Sequence, residues 1–145
     1  MKKTQNYSNH VRIVPGYHLV LSTLLIVGTV IAAINALRHP PNAGGFVSAI
    51  LIEDAFASGL LLMWYSRQFP LKAQDRAIRA EENLRYYTLT GKLLDDRLNI
   101  KQTIALRFAP DEEFVELVDK AVAEGMSPED IKKAIIDWRA DHHRV

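Results

Sequence analysis

Two stretches decide the fold: Tyr17–Leu37 (YHLVLSTLLIVGTVIAAINAL) and Ala43–Tyr65 (AGGFVSAILIEDAFASGLLLMWY). In the first, 15 of 21 residues are hydrophobic and none is Asp, Glu, Lys or Arg. In the second, 16 of 23 are hydrophobic, and the only charges are Glu53 and Asp54. A helix needs about 20 mostly apolar residues to cross a bilayer core. Both stretches meet that length. Between them lies Arg38-His39-Pro40-Pro41-Asn42. Two prolines lack the backbone donor that a continuing helix requires. The pattern therefore predicts a transmembrane hairpin with spans 17–37 and 43–65. A buried soluble hairpin fits poorly, because a chain this small rarely encloses two helices apolar all round. A cleaved signal peptide fits poorly too. Sixteen residues precede the apolar run, and no clean small-x-small site follows it.

Working outward, the totals hide this hairpin. The 145 residues carry a net charge of +1 and 24% charged residues, with a mean hydropathy of −0.05. These are the averages of an ordinary soluble domain. They exclude a disordered chain and give no bulk electrostatic reason to expect nucleic acid. There is no Cys, so disulfides, thiolate metal sites and Cys nucleophiles are excluded. Of 35 charged residues, only Arg38, Glu53 and Asp54 fall between positions 17 and 65.

Lys and Arg flank the spans asymmetrically. Lys2, Lys3 and Arg12 precede the first; Arg67, Lys72, Arg76, Arg79 and Arg85 follow the second; the link has only Arg38. That bias predicts both termini in the cytoplasm. Tyr17, Trp64 and Tyr65 would then sit at the cytoplasmic interface.

The expected organisation has four parts. Residues 1–16 are an N-terminal segment, 17–65 the hairpin, 66–98 a charged juxtamembrane helix with a linker, and 99–145 a helical module. The overall class is all-α. The charged helix runs from Pro70 to about Tyr87, with acid-first i, i+4 pairs Asp75/Arg79 and Glu81/Arg85. Ala73, Ala77, Ala80, Leu84 and Tyr87 form a seam of small and apolar residues, suited to the chain's own later helices or to another chain. Gly91 ends that region. Asp95–Leu98 reads as a turn, and Asn99 caps a short helix from Ile100 to about Phe108. A helix starting at Pro110 carries acids in its first turn and ends at Gly125. Ser127 caps the last helix, with Pro128 at its first position. Phe108, Phe114, Leu117, Val118, Ile131, Ile135 and Trp138 are the expected core of this module, with Ile135 and Trp138 on the last helix. Charge divides the part after the hairpin: residues 66–108 sum to +4 and residues 109–145 to −5. The final helices loosely resemble a helix-turn-helix, but the negative balance argues against DNA.

Certain runs are distinctive: Gln74-Asp75-Arg76-Ala77-Ile78-Arg79-Ala80-Glu81-Glu82-Asn83-Leu84-Arg85, and Ile104-Ala105-Leu106-Arg107-Phe108-Ala109 followed by Asp111-Glu112-Glu113-Phe114. With the opening Gln5–His10 and the closing Ile131–Asp141, they resemble an uncharacterised bacterial two-span membrane family across nearly the whole chain. Its members are sometimes labelled transporter permeases. The resemblance implies a bacterial cytoplasmic-membrane protein and brings no reaction, cofactor or catalytic residue. One hairpin encloses no solute path unless it oligomerises.

Glu53 and Asp54 are the sharpest chemical feature. An acid at the centre of a span costs about 2.5–3.5 kcal/mol on insertion scales. Neither span offers a Lys or Arg to neutralise it. Thr29, near the same level on the first span, and Ser58, one turn on, are candidate hydrogen-bond partners. Neighbouring helical residues point about 100° apart, so both acids cannot share one small face. Three readings follow: polar glue for a homo-oligomer or larger membrane complex, a proton or cation site, or a shifted second span that leaves the acids in a water-filled defect. Gly28/Ala32 and Ala55/Gly59 are small-xxx-small pairs suited to close helix packing. Asp137, Asp141, His142 and His143 suggest a metal site only weakly, and no metal or other cofactor is expected. No nucleophile–base pair or phosphate-cradling loop occurs, so an enzyme is not expected. The expected partners are the lipid bilayer and other protein subunits.

Overall fold

The computed structural model describes residues 5–141. These residues are helical, with no strand among them. A π-helical turn, Gly16–Leu21, leads into α1 (Ser22–Arg38). There follow α2 (Phe46–Thr90), α3 (Ile100–Leu106), α4 (Asp111–Glu124) and α5 (Pro128–Ala134). The chain divides into two compact units. One is Ile13–Phe69; the other joins residues 5–12 to residues 70–141.

The Ile13–Phe69 unit holds two helices long and apolar enough to cross a membrane. Only 6% of each apolar window is buried, whereas a core helix of a globular body would be mostly covered. What is buried is the seam between the two helices. Ala32 on α1 and Ala49 on α2 are 3% and 1% exposed. Gly28 lies against the Phe56 ring: a Cβ there would sit 2.5 Å from Cδ1 and 2.6 Å from Cζ. At Gly59 a Cβ would lie 3.0 Å from Leu25 Cδ2. Glycine lets two helices approach where any side chain would hold them apart. Ala55, expected in this seam, is exposed instead. Phe56, one residue on, supplies the contact to Gly28. The link closes through the Ala43 N–H donating to the Pro40 carbonyl (2.8 Å), and Gly45 takes the positive φ (+94°) that the turn into α2 requires.

One difference from the sequence reading concerns α2. A separate charged helix was expected from Pro70, yet α2 continues through Pro70 to Thr90. Proline removes a single backbone bond, and the carbonyl so released belongs to the exposed Ser66. The residues that follow, Leu71–Arg85, are strong helix formers. Gly91, with φ +73°, ends the helix.

In the other unit, the core comprises Tyr86, Leu98, Ala105, Leu106, Phe108, Ala109, Phe114, Leu117, Val118, Ala121, Ile131 and Ile135. Trp138 packs against it, half-buried. Local signals position the three short helices. Asn99 accepts from the Gln102 N–H while the Gln102 side chain accepts from the Asn99 N–H, a reciprocal capping box. Gln102 also donates to the Met126 carbonyl (2.8 Å), which ties α3 to the end of α4. Gly125 stops α4 in the left-handed region (φ 62°, ψ 39°). Ser127 accepts from the Asp130 N–H and donates its hydroxyl to the Asp130 carboxylate (2.7 Å).

The end of α5 also departs from expectation. The helix stops at Ala134, and Ile135 is extended (φ −70°, ψ 123°). Ile135 and Trp138 therefore reach the core from a non-helical tail. Competing acceptors explain this. The Glu113 carboxylate accepts from the Ile136 and Asp137 N–H groups (3.0 and 2.9 Å), and the Phe108 carbonyl accepts from the Arg139 N–H (2.8 Å). These bonds replace those that a longer helix would have made.

Candidate functional site

α2 sends its two acids in different directions. Counting along the helix from Ala49, residues 49, 53, 56, 60 and 63 share one side. Glu53 thus stands on the seam side with Ala49 and Phe56 and is half-buried; its Oε2 is buried and has no hydrogen-bond partner. Asp54 is exposed on the outer surface of the hairpin. Val47, Leu51, Ser58 and Leu61, also exposed, lie on that outer face with it. The contacts of Gly28 with Phe56 and of Gly59 with Leu25 set the register. In it, Glu53 and Asp54 lie level with Ile31 and Val30, slightly closer to the link than Thr29.

Neither expected partner serves the acids. The Thr29 hydroxyl donates to the Leu25 carbonyl of its own helix (2.8 Å). A threonine in a helix finds that acceptor one turn back without leaving its rotamer. Ser58 is exposed. Asp54 therefore stands midway along an apolar stretch of α2, on the outer face of the hairpin, with Ser58 one turn on as the nearest polar side chain of that face.

A second constellation lies in the unit of residues 5–12 and 70–141. Arg85 is at its centre, with its side chain 11% exposed. It donates through Nε to Asp111 (2.6 Å), through one terminal nitrogen to Glu82 (3.0 Å), and through the other to the Ala109 carbonyl (2.9 Å). Its guanidinium also lies 4.1 Å from the Phe114 ring centroid. All three guanidinium nitrogens are thus engaged with α4 and its approach, or with Glu82 on the same helix. Burial pushes the Glu82 carboxyl above its ordinary value, more than Arg85 and Arg139 pull it down. The Tyr86 hydroxyl, one position after Arg85, donates to Asp119 (3.3 Å); burial and then the Asp119 charge raise it. This network binds the last turns of α2 to α4. Its buried members, Arg85 and Glu82, face other protein groups, which makes the network a structural one.

The sequence pairing of Glu81 with Arg85 does not form, because Arg85 turns to Glu82 and Asp111. The Ala73–Tyr87 seam is likewise placed differently from a stripe on the chain's own later helices. Ala73, Ala77, Ala80, Leu84 and Tyr87 are all exposed, and the covered face of α2 is that of Ile78, Glu82 and Tyr86. Asp137 and Asp141 lie on the non-helical tail and share no helix face; His142 and His143 lie outside the described residues. Among the described residues no cluster suited to a metal ion occurs.

The sequence reading places residues 5–12 in an N-terminal segment, with Gln5–His10 among its distinctive runs, and assigns them no contact with the module. They pack as a strap on the module. The His10 ring lies 5.8 Å from the Trp138 ring and 6.0 Å from that of Phe108, and Phe108 stacks on Trp138 at 4.8 Å. His10 Nδ1 bonds the Tyr7 carbonyl (2.6 Å), and Nε2 lies 3.2 Å from Lys132 Nζ. Gln5 accepts from the Asp141 N–H (2.8 Å). The aromatic spacing Tyr7–His10 was the available signal.

No curated protein and no solved structure matches the chain. Over residues 1–145 the sequence matches a family described as a family of unknown function, DUF6526, and the chain belongs to it.

Proposed function

We propose that this protein is a membrane-anchored interaction or scaffolding subunit, acting as an oligomer or within a larger complex of a bacterial cytoplasmic membrane. The observation that carries the reading is Asp54, mid-span on the outer face of an apolar hairpin. In hydrocarbon an unpaired carboxyl is expensive, and a polar partner on another helix relieves it. A second copy or a partner subunit supplies that helix. The exposed Ala73–Tyr87 seam on α2 offers a second helix-packing surface. Residues 5–12, before the first span, and residues 70–141, after the second, belong to one compact unit. That supports two spans with both termini on one side, and the Lys/Arg bias makes that side the cytoplasm.

The chain has no cysteine, so single cysteines report contacts cleanly. Leu51→Cys and Leu61→Cys, on the Asp54 face, should cross-link between subunits in native membranes. Adding Asp54→Leu should reduce that cross-linking while membrane insertion persists. Interhelical polar contacts are worth about 0.6 kcal/mol on average and up to about 1.7. The expected loss is therefore about three- to twentyfold in association constant. No cross-link in the parent, or one indifferent to Asp54→Leu, refutes the proposal.

A second reading rests on Glu53, whose Oε2 is buried without a partner. It makes the assembled hairpins a small proton- or cation-conducting subunit. Unchanged assembly with lost flux in Glu53→Gln plus Asp54→Asn would favour it.

A further inference from the structure

At the open end of the hairpin, opposite the link, the π-helical turn and α2 enclose a cleft of about 310 Å³. Tyr17, His18, Met63, Trp64, Arg67 and Gln68 line it. That volume is at the lower end of small-molecule pockets, about 300–1,000 Å³. The Tyr17 hydroxyl donates to the Met63 carbonyl and so closes the floor between the two helices. Arg67 lies with its guanidinium 6.0 Å from the Tyr17 ring centroid. Among the described residues this half-buried cation has no carboxylate or carbonyl partner, unlike Arg85 with its three. His18 Nδ1 is engaged with the Val14 backbone at 3.0 Å, which leaves Nε2 as its nitrogen open to a ligand. A π-helical stretch of six residues, Gly16–Leu21, shapes this wall. Such turns are rare and recur at functional sites.

We infer that this cleft binds the phosphate headgroup of an anionic glycerophospholipid. The inference rests on the membrane reading above. Three features converge on that ligand. A guanidinium matches a phosphodiester in charge and in fork geometry. Tyr and Trp are the residues that settle at the headgroup level, and basic pockets between spans on the cytoplasmic side suit anionic headgroups. Met63, Trp64 and the Tyr17 ring give the cleft an apolar wall for the first methylenes of an acyl chain, which free phosphate would leave unused.

The test uses the full chain carrying Trp138→Phe, so that Trp64 is the only tryptophan. In a zwitterionic detergent, short-chain phosphatidylglycerol should change Trp64 emission saturably. Phosphatidylcholine and inorganic phosphate should not. Arg67→Gln should weaken the phosphatidylglycerol response about tenfold, as loss of a charge-assisted contact does. Arg67→Lys should restore part of it. An equal response in Arg67→Gln overturns the proposal. Inorganic phosphate as effective as the lipid overturns the lipid as the source. Resistance to carbonate extraction is measured in parallel. A chain that carbonate removes refutes the membrane reading itself; an integrated chain without preference for phosphatidylglycerol refutes this inference alone.

Discussion

Removing Arg85 while leaving Glu82 in place should be far more damaging than removing the charge of Glu82. Arg85→Met keeps most of the side-chain volume and its packing near Phe114, but deletes three bonds, to Glu82, Asp111 and Ala109. The Asp111 arm counts for little, because Asp111 is 63% exposed. The Glu82 arm decides the magnitude. Glu82 is 7% exposed at its side chain, and its other cation, Arg139, is 3.9 Å away and itself mostly exposed. A buried ion pair broken by loss of one partner costs about 3–5 kcal/mol. Glu82→Gln should cost less, about 1 kcal/mol, because the amide oxygen still accepts from Arg85 and the buried guanidinium keeps Asp111 and the Ala109 carbonyl as partners. In the double variant the orphaned carboxylate is gone, so the two changes should be coupled by about 2 kcal/mol or more. Urea unfolding of the full chain in detergent, followed by Trp138 fluorescence in a Trp64→Phe background, measures all four corners of the cycle. The pH dependence supplies a check of sign. The Glu82 carboxyl is raised in the folded state above 4.5. Between 4.5 and that raised value the folded chain holds more protons than the unfolded one, so this group's contribution falls as pH rises. Glu82→Gln should abolish that slope, and Arg85→Met should extend it to higher pH. An Arg85→Met cost below about 1 kcal/mol, or a double variant no more stable than Arg85→Met, would refute the reasoning.

Gly28→Ala should loosen the hairpin by about 1–3 kcal/mol, because its Cβ would enter the Phe56 ring; Gly59→Ala, meeting only the tip of Leu25 at 3.0 Å, should cost less. Distances between spin labels at the two span ends, compared across the variants, check this order, and Phe56→Leu should rescue Gly28→Ala. His10→Ala should remove the ring contacts to Phe108 and Trp138 and cost about 1 kcal/mol. Greater acrylamide quenching of Trp138, again with Trp64→Phe, is the readout.

Much of the fold was legible because its signals are local. Long apolar runs with almost no charge mark the two helices of the hairpin, and Asn99, Gly125 and Ser127 punctuate the short helices through their own backbone bonds. The differences arise where a distant group competes with a local rule. Pro70 reads as a helix start, yet one lost bond is small against the forty-five residues of α2. Trp138 follows Ile131 at helical spacing, but Glu113, twenty-three residues before Ile136, captures the amides that would have extended α5. The strap of residues 5–12 depends on contacts with positions more than ninety residues away, which no periodicity reveals. The acids were legible as a pair. Which of them faces outward was not, because that follows from the register that Gly28 and Phe56 impose. The alanine seam on α2 is a pattern with two solutions, and Ile78, Glu82 and Tyr86, rather than the alanines, took the covered face.

The claim on which the account turns is that Asp54, exposed on the outer face of the hairpin, finds its polar partner on a helix of another subunit. Native mass spectrometry of the full chain released from nanodiscs of its own membrane lipids tests it most directly. The account predicts an oligomer or a complex with another subunit for the parent chain. It predicts a shift toward the single hairpin for Asp54→Leu, with Glu53 left in place. A parent chain that emerges alone, or an assembly unchanged by Asp54→Leu, would contradict it.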